Sequence, residues 1–224
     1  MPASLQLPLP LSGRPLVSRA DLIVGATNAR AVAFVDAWPD WPVAAAALHG
    51  PGGCGKTHLV SIWRDLTGAH VVAASELSID NVRSPGPLAI EDVDASEASP
   101  DRDAALFAAL ESPAAPILLT GRNPPAGWRF VLPDLASRFA AIASLPLEAP
   151  DEAMLFAIAR KLFADRQLPV SDAVIEQMLH LLERSPAAIR EFVAEADAAA
   201  LAAGGPVNLA LVRSLIATRE AAPA

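Results

Sequence analysis

Eight residues, Gly50-Pro51-Gly52-Gly53-Cys54-Gly55-Lys56-Thr57, restrict what this chain can fold into more than any other part of its sequence. Glycines open backbone conformations closed to residues with a Cβ, so successive amide N–H groups can turn toward one anion. A helix starting at the end of such a loop adds its own N-terminal amides to that site. With the spacing Gly-x-x-x-x-Gly-Lys-Thr, Lys56 reaches the β- and γ-phosphates of a nucleotide and the Thr57 hydroxyl ligates magnesium. The flanks fit this use: residues 43–48 form a short apolar run suited to a buried strand, and residues 58–66 have helical spacing. The alternative is an ordinary glycine turn between a strand and a helix.

Composition narrows the class. A chain of 224 residues holds one sizeable domain and a small second one. Hydrophobic residues reach 53%, but much of that is alanine, and no uninterrupted apolar run is long enough to span a bilayer. The start of the chain shows no basic region followed by an apolar stretch and a small-residue cleavage site, so a cytoplasmic protein without a membrane partner is expected. A net charge of −8 argues against stand-alone nucleic-acid binding, because such domains carry an excess of Lys and Arg that replaces phosphate counterions. Contact with DNA is expected only through a partner. The single cysteine, Cys54, excludes an internal disulfide and a cysteine-based metal site.

Along the chain, residues 1–20 are rich in Leu, Pro and Ser without helical period and read as an extended tail. Residues 21–149 alternate strand and helix signals. A helix at 27–37 ends at a Trp-Pro-Asp-Trp-Pro turn; strands are expected at 43–48, 70–74, 87–93, 116–120 and 141–145, with a helix opened by Ser99-Pro100-Asp101 and a short one at 135–139. Such alternation implies an α/β fold with a parallel five-stranded sheet and nucleotide at the strands' carboxyl ends. Residues 150–224 read as helices only, at 151–166, 171–184, 186–203 and 207–219, forming a small all-α lid.

A magnesium-dependent NTPase also needs carboxylates at the end of a buried strand. Leu88-Ala89-Ile90-Glu91-Asp92 supplies two. An acidic strand end also occurs as a helix cap or a solvated turn; coupled to the glycine loop it reads as the metal and water site.

These residues, with His58-Leu59 after the loop, Leu118-Leu119-Thr120 followed by Pro124-Pro125, and the run Leu132-Pro133-Asp134-Leu135-Ala136-Ser137-Arg138-Phe139, resemble the DnaA branch of AAA+ P-loop ATPases, and within it the short Hda-type members that inactivate a replication initiator. The resemblance spans nearly the whole chain. It implies that ADP or ATP with Mg2+ is held by Gly50, Pro51, Gly52, Gly53, Cys54, Gly55, Lys56, Thr57 and His58, with Ile23, Val24, Gly25 and Asn28 lining the adenine pocket. Thr57 and Glu91 take the metal, Asp92 activates water, and the stretch 120–123 falls on sensor 1. Glu91 stands where most relatives have Asp. Arg138 matches an arginine finger acting across a subunit interface, a role in which a guanidinium neutralises charge on the transferring phosphoryl group. Read without the resemblance, Arg138 is equally a surface arginine at a helix C-terminus. Arg190 matches sensor 2, reaching from the lid onto bound phosphates; otherwise it is an exposed neighbour of Glu191.

The tail residues Gln6, Leu7, Leu9, Pro10 and Leu11 resemble the peptide with which Hda-type proteins hold the sliding clamp of DNA polymerase III, the β clamp. Prolines pre-order an extended chain and reduce the entropy lost on docking. About a dozen residues separate the second strand from the acidic one, where initiators carry helices that touch single-stranded DNA, and no helix-turn-helix is expected after the lid. The resemblance therefore implies a clamp-docked regulator that presents Arg138 to ATP held by DnaA, touching DNA only through the clamp, and it allows a homo-oligomer. Two other readings stand: a self-hydrolysing ATPase such as a helicase loader, and a nucleotide-dependent adaptor with a structural loop.

Overall fold

The computed structural model describes residues 18–83, 85–111 and 116–221. Gln6, Leu7, Leu9, Pro10 and Leu11 lie outside them.

Five strands, β1 (Ala45–His49), β2 (His70–Ala73), β3 (Leu88–Glu91), β4 (Ile117–Gly121) and β5 (Ala143–Pro146), form one sheet in the order β2-β3-β4-β1-β5 with every pair parallel. Their apolar runs suit burial on both faces, which a parallel sheet covered by crossover helices requires. Alternation sorts the side chains cleanly: Ile90 and Leu119 face one layer, Ala89 and Leu118 the other. The first layer holds α3 (Ile79–Val82), α4 (Pro100–Glu111) and α5 (Pro133–Ala140), packed through Val82, Leu106, Leu135 and Phe139. The second holds α1 (Ala29–Asp36) and α2 (Lys56–Thr67), packed through Val35, Leu59 and Trp63. Trp63 is fully buried and stacks on Trp41 at 5.2 Å, although its indole N–H has no partner among the described residues. Burying roughly 150–250 Å2 of indole contributes about 4–6 kcal/mol, which outweighs the ~1–3 kcal/mol cost of the orphaned donor.

After β5 the chain is helical. Helices α6 (Glu152–Asp165), α7 (Asp172–Leu181), α8 (Pro186–Ala203) and α9 (Leu209–Ala221) enclose a core of their own, centred on Phe163, Met178, Ile189, Phe192 and Val212. Local chemistry sets their ends. The Asp151 carboxylate accepts from Met154 N at 2.7 Å at the start of α6, and the Ser185 hydroxyl accepts from Ala188 N at the start of α8, with Pro186 in the first helical position. Gly204, at φ 61°, ends α8.

The elements follow the sequence reading with shifted ends. The strand expected over 87–93 stops at Glu91, because Asp92 adopts φ 56° and turns the backbone out of the sheet. The connection between β2 and β3 holds a 3-10 turn at Ala74–Glu76 and one turn of α-helix, α3, that periodicity over so short a segment does not reveal; Ser78 and Asn81 cap α3 reciprocally.

Candidate functional site

The carboxyl ends of β1, β3 and β4 meet where strand order reverses around β1, the place at which open α/β sheets leave a crevice. The glycine loop leaves β1 there. Gly50 has φ 155°, and a Cβ on it would stand 2.0 Å from Leu147 O, so no larger residue fits without moving the backbone. Gly53 at φ 76° and Gly55 at φ 105° supply the left-handed turns that bring the chain into α2, while Gly52 and Gly55 open onto free space. Lys56 is 9% exposed and folds back across the loop, its Nζ donating to Gly50 O at 2.7 Å and Pro51 O at 2.9 Å, with Cys54 Sγ at 3.7 Å. An ammonium folded across this loop, beside glycines that open onto free space, fits a nucleotide polyphosphate.

The acidic side of the crevice is built by β3 and β4. By alternation Glu91 shares the face of Ala89, the face that packs on α2. Asp92 N–H donates to Thr120 Oγ1 at 2.9 Å, and Val93 N–H to Thr120 O at 2.9 Å. Thr120 is 1% exposed. It is thus the member of the stretch 120–123 that anchors the backbone of Asp92 and Val93. Arg122 and Asn123 instead point their amides at the Asp94 carboxylate, which accepts at 2.8 Å from each and also from Asn123 Nδ2. Among the described residues no three His, Cys, Asp or Glu gather closely enough to hold a metal by themselves. Thr57 and Glu91 are the side chains that could hold a magnesium ion here, a cation that binds through few protein ligands and takes the rest of its shell from water and substrate phosphates.

The helical region approaches the loop at the start of α8. Pro186 Cδ lies 3.9 Å from where a Cβ of Gly53 would stand, and Arg190 is one turn further along α8. The Arg190 charge is felt at His58, whose pKa is pushed below its ordinary value chiefly by burial, with Arg190 adding to the shift. His58 Nε2 is 3.1 Å from Ser18 O, so the segment entering the domain is pinned beside the loop. His49, at the end of β1, is also pushed down by burial, raised in part by Asp94 and lowered further by Lys56.

Ile23, Val24 and Gly25 run along the junction between the sheet and the helical region. Asn28 closes this segment: its Oδ1 accepts from Gly25 N at 2.9 Å and its Nδ2 donates to Ile23 O at 2.9 Å. A Cβ on Gly25 would meet Met154 Cε at 2.7 Å, so this strip passes directly under α6. Val24 is 48% exposed and presents an apolar edge.

Comparison with known proteins follows from this geometry. No family model matches the sequence, and no curated protein matches it. Solved structures do. Domain III of the Thermotoga maritima replication initiation protein DnaA superposes with a TM-score of 0.72 at 18% identity, over 88% of this chain and 94% of that one. The fold is that of DnaA domain III. An AMPPCP-bound DnaA from Aquifex aeolicus gives 0.67 at 18% identity, over 80% of this chain and 64% of that one. The Thermotoga maritima RuvB Holliday junction branch migration motor gives 0.61 at 17% identity, over 77% and 61%. The chain thus spans nearly all of the isolated DnaA domain and under two thirds of the longer DnaA and RuvB chains. Within this fold the loop and the acidic strand end lie at the carboxyl ends of β1 and β3, with Thr120 beside Asp92 and the start of α8 near Gly53.

Arg138 stands apart from that group. On α5, it pairs through Nη1 with Glu111 Oε1 and lies over the Phe107 ring at 4.6 Å; it is 44% exposed. None of these partners belongs to the glycine loop. Sequence reasoning missed Thr120 as an anchor, Asp94, and the buried pair Arg102 and Asp103. A signal for Arg102 existed: it shares a helix face with Ala105, Leu106 and Ala109.

Proposed function

We propose that this chain is a nucleotide-dependent regulator of replication initiation, of Hda type, that presents Arg138 to ATP bound by DnaA. The observation that carries this reading is the division of labour between two places. In this reading the glycine loop, Glu91, Asp92 and Arg190 serve one nucleotide, whereas Arg138 is a half-exposed guanidinium on another helix whose partners are Phe107 and Glu111. An arginine placed in that way can serve a neighbouring molecule better than its own loop.

In this reading ADP or ATP with Mg2+ occupies the crevice. Lys56 leaves the Gly50 and Pro51 carbonyls for the phosphates, and Arg190 approaches them from α8. The nucleotide's chemistry in this chain is to hold α8 over the loop. The tail residues Gln6, Leu7, Leu9, Pro10 and Leu11 dock on the β sliding clamp loaded on DNA, which brings Arg138 to DnaA and DNA only through the clamp. The AMPPCP-bound DnaA neighbour, of the same fold, supports nucleotide at this site. The test is turnover of ATP by DnaA with loaded clamp present. Wild type stimulates it and Arg138→Ala does not; equal stimulation by both removes the finger role.

Thr120 and Asp92 favour a second reading, a self-hydrolysing ATPase acting as a loader, since the backbone of the residue that would activate water is anchored at its own strand end. That reading requires turnover by the purified chain alone, abolished by Lys56→Ala and indifferent to the clamp.

A further inference from the structure

Arg102 is 5% exposed and Asp103 is fully buried, side by side in the first turn of α4. Arg102 Nε and Nη2 donate to Asp103 Oδ1 at 3.1 and 2.8 Å. Nη1 reaches back to the turn that follows the acidic strand, donating to Ser96 O at 3.0 Å and Ser96 Oγ at 3.1 Å, with Val93 O at 3.4 Å. Nη2 reaches forward to Arg129 O at 2.7 Å. Asp103 completes the forward arm: its Oδ2 accepts from Val131 N and, at 3.0 Å, from Leu132 N, the residue that caps α5. The same acidic turn holds the start of this connection through Asp94 and the amides of Arg122 and Asn123.

A buried ion pair is a weak device for stability, since hydrophobic residues of similar volume do as well or better. This one uses its polar atoms on two separate backbone segments, and that is a geometric task. We propose that Arg102 and Asp103 are a positioning pair that ties the turn after Glu91 and Asp92 to the helix bearing Arg138, so that nucleotide with magnesium in this chain sets how firmly Arg138 is presented. The inference rests on the nucleotide-bound reading of the crevice and adds a regulated step to it. Binding at Glu91 and Asp92 stiffens the turn 92–96; Arg102 carries that to Arg129, and Asp103 to the amides that begin α5. Arg138 lies on the second turn of that helix.

Amide hydrogen exchange over residues 129–140, with and without saturating MgATP, tests this on the full chain. In the wild type, exchange slows by at least about fivefold on MgATP, the low end of coupling between distinct sites. Arg102→Lys keeps the charge but cannot span both arms, and Asp103→Asn keeps the shape but weakens the grip on the amides; both bind MgATP as wild type does, judged by titration with a fluorescent nucleotide, and lose the slowing. Ser96→Ala, at a half-buried surface turn, reduces the slowing and keeps the proposal testable if the buried variants do not fold. Wild-type chain that binds MgATP without any change over 129–140 overturns the inference and leaves the nucleotide reading intact. Variants that slow as much as wild type overturn it too. A wild-type chain that binds no MgATP overturns both.

Discussion

Thr120→Val tests whether the acidic strand end is held as described. The substitution replaces a hydroxyl by a methyl of nearly the same size at a position 1% exposed, so packing against β1 and β3 is preserved. What is lost is the acceptor for Asp92 N–H, 2.9 Å away. Asp92 sits at φ 56°, a conformation that costs a non-glycine residue energy and persists where the surroundings hold it. An amide stripped of its acceptor in a partly buried turn costs about 1–3 kcal/mol. For a chain of this size that lowers the melting temperature by roughly 2–4 °C per kcal/mol, or about 2–12 °C. The measurements are a thermal melt and exchange of the Asp92 amide, which should lose protection while the amides of β4 keep theirs. A melt within ~0.5 kcal/mol of wild type, the range of neutral surface changes, with Asp92 still protected, would refute the claim that Thr120 anchors the turn.

Four further outcomes follow. Lys56→Ala removes the ammonium that lies across the loop; on the proposed reading of that loop, fluorescent-nucleotide titration should show affinity down by at least about tenfold, the equivalent of ~1.4 kcal/mol. Gly50→Ala forces a Cβ onto Leu147 O, so the variant should melt lower and bind nucleotide more weakly; wild-type behaviour in both would mean that the loop yields freely. Glu111→Ala should leave stability within about 1 kcal/mol, because the pair with Arg138 is exposed, and should raise stimulation of DnaA turnover by freeing the guanidinium. His58 and His49 have folded pKa values below the ordinary 6.5, so the unfolded chain takes up protons first as pH falls. Stability is then full above about pH 6.5 and declines as pH drops through that value toward the lowered folded ones. His58→Gln should flatten part of that slope in urea melts taken across the window. The depressed carboxylates Asp21 and Asp36 act in the same direction only below their ordinary 3.8, so they leave this window to the histidines.

The sheet, its order of elements and the helical region were legible because each rests on short-range patterns. Apolar runs such as Leu118-Leu119 mark buried strands, and Pro186 and Gly204 punctuate α8. The turn of the glycine loop was legible for the same reason, since Gly50, Gly53 and Gly55 supply its positive φ values within eight consecutive residues. What escaped is what depends on residues far apart in sequence. Thr120 is one polar residue at a strand end, and its meaning comes from Asp92, 28 positions away. Arg102 and Asp103 look like the solvated first turn of a helix until Arg129, Val131 and Leu132 are folded over them. Helix α3 escaped because four residues are too few for a period. The end of β3 was misplaced because a positive φ at Asp92 leaves no trace in hydropathy.

Gly50 carries one more implication. Its Cα hydrogen faces Leu147 O, Leu147 N–H donates to His49 O at 2.7 Å, and Glu148 N–H donates to Thr27 O at 3.0 Å. The chain leaving the sheet for α6 is therefore stitched to the first residue of the glycine loop and to the strip beneath the helices. That makes the stretch after Leu147 a fulcrum with unequal arms. Pro186 lies close to it, over Gly53, while α8 runs on for 18 residues, about 27 Å at 1.5 Å per residue. A tilt of about 10° swings the far end of α8 through roughly 5 Å and barely shifts its start. A tilt about that stretch would thus move the outer end of α8 far more than the end that lies over Gly53.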